Sequence, residues 1–204
     1  MGRAPGRFWR DVAPPLAAFG AYPDCGKLVS VMLVPILEMP RDKTCPQEGA
    51  SAMKARLDHF RAAPELMKAM VDLEKTVRGS GLEASLIDLV KLRASQINGC
   101  AYCIHMHSRE ARASGVDQDK LDLLPAWRES SFFSERERAA LGWTEALTLV
   151  ASTGAPDADY EALAAQFDEH DRVALSLAIG AINVWNRLAI GFRSQHPGKG
   201  QAGT

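Results

Sequence analysis

Apolar residues recur at three- and four-residue spacings along most of the chain, which is the pattern of amphipathic helices. Gly79 and Gly81 follow the first long series and predict its end. No segment shows a sustained two-residue alternation, so the sequence predicts no sheet. The expected fold is all-α, a compact multi-helix bundle of about six to eight helices. The first apolar series contains Leu57, Phe60, Leu66, Met67, Met70, Val71 and Leu73.

Turn and cap residues predict where several helices begin and end. Pro64 suits the first turn of a helix, where its missing N–H costs nothing. The pair Asn98 and Gly99 favours a turn and predicts a break between two helices. Ser134, with Glu137 three residues later, has the spacing of a capping box. A last, apolar helix is expected to open at Asp171 or a neighbour.

The first fifty residues differ from the rest of the chain. They hold most of the eleven prolines and two isolated cysteines, Cys25 and Cys45, and show no persistent helical periodicity. We interpret residues 1–50 as an irregular N-terminal arm with incidental thiols. Residues 51–193 form the predicted helical domain, and residues 194–204 are expected to be a disordered tail.

Composition and charge narrow the class of protein. The chain has 204 residues with a net charge of −1, so it has no general attraction for nucleic acid or anionic lipid. Residues 173–192 are apolar but carry Asn183, Asn186 and Arg187, which favours a core helix over a membrane span. No signal peptide is recognisable, and a cytoplasmic location without membrane or nucleic-acid partners is expected.

Two cysteines and a histidine form the strongest chemical motif. Cys100, Cys103 and His107 are separated by three and four residues, so on a helix they share one face. A neighbouring imidazole can accept a thiol proton, and the thiolate is the reactive form of cysteine. The motif favours a redox-active dithiol over two structural thiols beside a satisfied histidine.

The sequence alone leaves the attacking sulfur undecided. If the chain breaks at Gly99, both thiols lie in the first turn of a new helix, where backbone N–H groups favour negative charge. This effect favours Cys100, whereas the contact with His107 favours Cys103. A zinc site built from the same residues and His105 is disfavoured, because on one helix His105 points away from the other three. No metal or cofactor is therefore expected.

Residues 89–108 of this chain resemble the core of the alkylhydroperoxidase D-like group within the carboxymuconolactone decarboxylase family. Residues 124–130, 133–141 and 182–188 resemble the same group, so the resemblance covers roughly residues 51–193. It implies an all-helical fold, a hydroperoxide substrate and a thiol or lipoyl-type reductant. It also implies assembly as a trimer or hexamer. The matching segment of residues 89–108 reads LVKLRASQINGCAYCIHMHS.

The resemblance also implies roles for four residues. Cys103 would attack the hydroperoxide, Cys100 would resolve the product as a disulfide, and His107 would pass the proton. The family carries an acid twelve residues before its first cysteine, and here that position is Asp88 instead of the usual glutamate. Asp88 would hold His107, although its arm is one methylene shorter. The alternative for Asp88 is a solvated helix residue.

Other functions and residues receive weaker support. A redox adaptor or disulfide reductase that passes electrons to a partner peroxidase would use the same cysteines. The lactone decarboxylase branch is disfavoured, because it does not rely on a CxxC.

Asn183 and Arg187 share a helix face and are interpreted as partners of other core groups and not as residues that line a pocket. The remaining histidines carry no motif and are expected at the surface: His59, His170 and His196.

Overall fold

The structure is a computed structural model that describes residues 54–196. Nine α-helices and one 3₁₀ helix, with no strand, make up this part of the chain, so the predicted all-α class is confirmed. Both α1 and α7 are single turns of four residues, too short for an apolar period to reveal. The helices α1 to α9 are His59–Ala62, Pro64–Arg78, Ala84–Ile97, Ala101–Ala113, Gln118–Leu123, Glu135–Thr148, Val150–Thr153, Asp157–Ala164 and Glu169–Phe192, and the 3₁₀ helix Leu124–Glu129 follows α5.

The predicted break between the third and fourth helices is present. Asn98 is the C-cap of α3, and Gly99 follows with a φ of +67°, a left-handed conformation that glycine adopts without strain. Cys100 then returns to extended backbone as the N-cap of α4. This tight turn sets the start of α4 directly against the end of α3.

Other predicted boundaries agree with the structure to within a few residues. Pro64 is the first residue of α2. Ser134 caps α6, and its side chain and that of Glu137 bond reciprocally to backbone N–H groups as a capping box. The last helix begins earlier than Asp171, because Asp168 is its N-cap and accepts the backbone N–H of Asp171.

The third helix is the centre of the bundle. It packs against α4, α6 and α9, and it is buried nearly all round. A central helix of this kind normally carries only apolar side chains. Here three buried polar residues, Asp88, Lys91 and Ser95, interrupt the apolar positions. Their presence in the core calls for polar partners, which the neighbouring helices supply.

The last helix, α9, is long and apolar enough to cross a membrane by length and composition, and 44% of its apolar window is buried in the fold. Its inner face packs against α2, α3, α4 and α6 and includes the fully buried Asn186. Its outer face leaves Val173, Leu177 and Val184 exposed. The core-helix interpretation therefore describes one face of α9.

The oligomeric state, the cellular location and the limits of the domain stay predictions. Residues 1–50, with Cys25 and Cys45, lie outside the described residues.

Candidate active site

The two sulfurs of the CxxC lie together at the start of α4. The Sγ atoms of Cys100 and Cys103 are 2.6 Å apart, and both residues are buried as free thiols. The sulfur of Cys100 occupies the place of an N-cap oxygen and accepts the backbone N–H of Cys103 at 3.3 Å. The sharp turn at Gly99 thus produces a dithiol that is already close enough to form a disulfide.

Hydrogen bonding distinguishes the two thiols electrostatically. The pKa of Cys100 is lowered to about 7, first by the hydrogen bond with the Cys103 thiol and, against the opposing effect of burial, by backbone N–H groups and the Asn186 amide. The pKa of Cys103 is raised, because its proton is held between the two sulfurs and because it is buried. The first thiolate therefore belongs to Cys100, in line with the helix-terminus argument.

A cavity of about 580 Å³ opens next to this dithiol. Cys103 and His107 line it, whereas Cys100 is not part of its wall. A ligand in the cavity consequently meets the sulfur of Cys103, and Cys100 lies behind it. Much of the remaining wall is apolar or aromatic and comes from Leu57, Phe60, Val71, Tyr102, Met106, Trp185 and Ala189.

The imidazole of His107 is buried on the same helix face, one turn after Cys103. Its Nδ1 lies 2.8 Å from Oε2 of Glu110. Its Nε2 is buried and has no hydrogen-bond partner in the described part of the chain. If Nδ1 carries the proton that Glu110 accepts, Nε2 has a free lone pair and can take a proton from a cavity group.

The resemblance implied that Asp88 holds His107, but in the described part of the chain Asp88 makes no hydrogen bond to the imidazole. It is 1% exposed, which also excludes the solvated alternative, and its Oδ1 accepts a hydrogen bond from Nη2 of Arg78 at 2.5 Å. The same Nη2 is 3.5 Å from Oε2 of Glu110. Asp88 is thus linked to His107 through Arg78 and Glu110. A shorter acid at position 88 is paired by the guanidinium instead of reaching the imidazole.

Glu110 is the carboxylate that sequence reasoning missed. The hydrogen bond with His107 lowers the pKa of Glu110; burial opposes this, and the charges of His107, Arg78 and Lys91 lower it further. Glu110 therefore stays ionised below the usual range of a glutamate. The signal was available, since Glu110 lies three residues after His107 on the same helix and faces the same side.

A second ion pair lies in the cavity wall. The buried ammonium of Lys91 pairs with Oε2 of Glu74, and Oε1 of Glu74 accepts the indole N–H of Trp185 at 3.0 Å. This arrangement connects α2, α3 and α9 around the cavity. No sequence motif pointed to it, because its members are far apart along the chain.

The histidines predicted to lie at the surface differ in their exposure. His170 is exposed, as expected, whereas His59 is half-buried, lines the cavity and stacks on Phe192 with ring centroids 5.7 Å apart. Asn183 accepts a hydrogen bond from Asn98, in keeping with a core partner. The ring of His105 lies against His196, with centroids 5.2 Å apart.

No metal-binding group of three close ligands forms around the cysteines within residues 54–196. The described side chains that approach one another in that way are Asp168, His170 and Asp171, at the start of α9. Exposed acidic groups of this kind are common without a metal. The reactive groups that line the described cavity are the Cys103 sulfur, the His107 imidazole and the carboxylates of Glu74 and Glu110.

The fold and the site define a class: an all-helical protein with a vicinal dithiol at a helix start, facing a cavity with a buried histidine. Residues 64–146 match the model of the carboxymuconolactone decarboxylase family. YdfG of Bacillus subtilis (strain 168), described as uncharacterized, is 40% identical over 147 residues, which cover 72% of this chain and 100% of YdfG. The chain belongs to the carboxymuconolactone decarboxylase family and to its AhpD-like members.

Two further relatives carry the AhpD name. A crystal structure from Agrobacterium tumefaciens, of a protein of unknown function with a suggested role as the antioxidant defence protein AhpD, is 51% identical. It covers 71% of this chain and 99% of its own, with a TM-score of 0.69. Alkyl hydroperoxide reductase AhpD of Bradyrhizobium diazoefficiens is 36% identical over 67 residues, or 32% of this chain and 37% of AhpD. These relatives support a peroxidase-related or redox role at the family level.

Replacing Cys103 by alanine is expected to raise the pKa of Cys100 from about 7 toward that of an ordinary thiol, because the hydrogen bond with Cys103 is the largest cause of the lowered value. The change is measured as thiolate absorbance against pH, with Cys25 and Cys45 replaced by serine in both proteins. The titration should move to higher pH. An unchanged midpoint would show that the backbone N–H groups alone set the pKa.

Glu110→Gln is expected to slow the alkylation of Cys103 by iodoacetamide at pH 7 about tenfold, because His107 loses the carboxylate that holds Nδ1 and stabilises the imidazolium formed when the ring takes the thiol proton. Asp88→Asn should slow it less, since Asp88 contacts Arg78 and not the imidazole. Peptide mass spectrometry assigns the alkylated cysteine. A larger loss in Asp88→Asn than in Glu110→Gln would restore Asp88 as the principal acid.

Proposed function

We propose that the protein is a thiol-dependent peroxidase that reduces organic hydroperoxides through a dithiol–disulfide cycle of Cys100 and Cys103. The observation that carries the proposal is the pair of sulfurs 2.6 Å apart, one of which faces a cavity while the other lies behind it. A sulfur that meets substrate and a second sulfur within bonding reach are the two parts that such a cycle needs. Membership of the AhpD-like family supports the same chemistry.

The first half of the cycle oxidises the dithiol. The thiolate of Cys103 attacks the terminal oxygen of a hydroperoxide, the O–O bond breaks, and the alkoxide leaves as an alcohol after it takes a proton. Cys103 is then a sulfenic acid. The thiolate of Cys100 attacks that sulfur, a disulfide forms, and hydroxide leaves as water. In sum, one hydroperoxide and two thiols give one alcohol, one water and one disulfide.

His107 and Glu110 manage the proton in this proposal. Nε2 of His107 accepts the proton of the Cys103 thiol, whose pKa is raised and which therefore needs a base to become reactive. The imidazolium returns the proton to the departing alkoxide. Glu110 holds Nδ1 and stabilises the positive charge that the ring carries between the two events. The same roles apply whether or not Asp88 contributes through Arg78.

The size of the cavity favours a bulky hydroperoxide as substrate. A space of about 580 Å³ is within the range of cavities that hold small organic ligands, and far exceeds the volume of one hydrogen peroxide molecule. Phe60 and Trp185 stack in its wall with ring centroids 6.1 Å apart, which suits an aromatic or branched organic group. We therefore propose an organic hydroperoxide as the preferred substrate.

The second half of the cycle requires a thiol reductant. A thiolate of the reductant attacks Cys103, the sulfur that faces the cavity, and the thiolate of Cys100 leaves. A sulfur of low pKa is the better leaving group, and the pKa of Cys100 is about 7. A slim dithiol, such as a lipoyl-type arm, suits a sulfur that is reached through a cavity, and we propose it as the reductant. We also propose that the enzyme is a homo-oligomer located in the cytoplasm.

A redox adaptor or disulfide reductase is the second candidate function, because the reductive half of the cycle needs no hydroperoxide. The large cavity beside Cys103 favours the peroxidase, since an adaptor that exchanges disulfides with a protein needs an exposed sulfur and not a substrate cavity. Lactone decarboxylation receives no support from the dithiol.

The proposal is tested by hydroperoxide consumption with a dithiol reductant, for wild type and Cys103→Ser. We expect cumene hydroperoxide to be consumed faster than hydrogen peroxide by the wild type, and Cys103→Ser to lose essentially all turnover. Val71→Phe, which fills part of the cavity, should slow cumene hydroperoxide more than hydrogen peroxide.

The control for this assay is Cys25→Ser with Cys45→Ser, which should keep the wild-type rate. Equal turnover in wild type and Cys103→Ser would contradict the peroxidase assignment. A disulfide that forms readily without hydroperoxide consumption would favour the adaptor instead.

A further inference from the structure

We propose that Asn186 is a positioning residue for the dithiol, whose side-chain amide donates an N–H to the cysteine sulfurs and stabilises the thiolate. As a statement about turnover this rests on the proposed function, whereas its effect on the thiols stands by itself. Asn186 lies 83 residues after Cys103 in the chain and belongs to no motif with the cysteines. The structure brings them together.

The placement of Asn186 follows from the packing of α9 on the dithiol. Ile182 and Ala189 of α9 share one hydrophobic cluster with Cys100 and Cys103. Asn186 is four residues after Ile182 and three before Ala189, so it lies on the same helix face between them. Its side chain is 0% exposed. A fully buried amide among apolar contacts requires partners for all of its polar atoms.

Two of the hydrogen bonds of Asn186 fix the direction of its amide. Its Oδ1 accepts Nδ2–H of Asn98 at 2.8 Å, so the amide nitrogen must point the other way. One N–H of that nitrogen goes to Oγ of Ser95 at 3.1 Å, and the hydroxyl of Ser95 is itself committed to the carbonyl of Lys91 at 2.8 Å.

An amide nitrogen carries two N–H groups, so one remains after the bond to Ser95. Ile182 and Ala189, which flank Asn186 on this face of α9, pack with Cys100 and Cys103, so the sulfurs are the partners that we assign to this N–H. Hydrogen bonding from Asn186 acts to lower the pKa of each thiol, although larger effects raise the pKa of Cys103 overall. Because the donor is a neutral N–H, it can stabilise a thiolate on either sulfur at the step where that sulfur is ionised. This property suits a pair in which each sulfur is a thiolate at a different step.

Asn98 joins this contact to the turn that delivers the cysteines. It is the C-cap of α3, two residues before Cys100, and its amide nitrogen also approaches Oδ1 of Asn183 at 2.9 Å. The helix that carries Asn186 is therefore tied to the same turn that sets the position of Cys100.

The experiment is a thiolate titration by ultraviolet absorbance, with Cys25 and Cys45 replaced by serine in every protein. Asn186→Leu, which is similar in size but cannot donate, should raise the first thiol pKa by about one unit and slow alkylation at pH 7 about tenfold. Asn183→Leu is the matched control, because it makes the same change on the same helix beside the same Asn98. It should leave the titration nearly unchanged.

Asn186→Asp covers the case in which leucine prevents folding, because it keeps the shape and the acceptor for Asn98. It removes the N–H and adds negative charge near the sulfurs, so the thiol pKa should rise at least as far as in Asn186→Leu. Circular dichroism confirms that each protein is folded. Equal shifts in Asn183→Leu and Asn186→Leu, or an unchanged pKa in Asn186→Asp, would overturn the proposal. Since no hydroperoxide is present, a failure of the peroxidase assignment would leave this result standing.

Discussion

The main constraint on this structure is that a reactive pair of cysteine sulfurs is buried inside a helical core. Burial disfavours a thiolate, so the fold must supply donors wherever the charge forms. It does so by placing Cys100 at the N-cap of α4, where the backbone N–H of Cys103 points at its sulfur, and by packing the face of α9 that carries Asn186 against the pair. The left-handed turn at Gly99 makes this geometry possible, because it brings the end of α3 and the start of α4 together. The two sulfurs then differ in role: Cys100 holds the charge, and Cys103 meets the cavity.

The same constraint explains the ionic groups around the cavity. Arg78 and Lys91 bring positive charge into a largely apolar wall, and each is paired with carboxylates from another helix. Lys91 and Asp88 are the buried members of these pairs, and a buried charge without such a partner would cost several kcal/mol. Arg78 pairs with Asp88 of α3 and also approaches Glu110 of α4. Glu110, and not Asp88, is the carboxylate that contacts His107. The cysteines and the histidine have the spacing on which the resemblance rests, while the carboxylate that contacts the ring is Glu110 and not Asp88.

Much of the fold and part of the site could be predicted from sequence, because both are encoded locally. Helix periodicity, the cap at Ser134 and the turn before Cys100 each depend on neighbours a few residues away. The role of Asn186 could not be read in this way, since it depends on how α9 crosses the start of α4. Glu110 could be predicted locally, because it lies three residues after His107 on the same helix, whereas the family resemblance pointed to Asp88. The cavity also depends on distant helices, and His59 lines it because the turn α1 packs against α9.

The central claim is that one hydroperoxide is reduced at the expense of two thiols in a single chain. It is tested most directly by mixing reduced protein, with Cys25 and Cys45 replaced by serine, with one equivalent of cumene hydroperoxide and no reductant. Free thiols, the alcohol product and the mass of the peptide that contains both site cysteines are then measured. The account predicts the loss of two thiols and the gain of one alcohol per chain, with a peptide lighter by two hydrogens as a Cys100–Cys103 disulfide. Intact thiols beside unreacted hydroperoxide would contradict it.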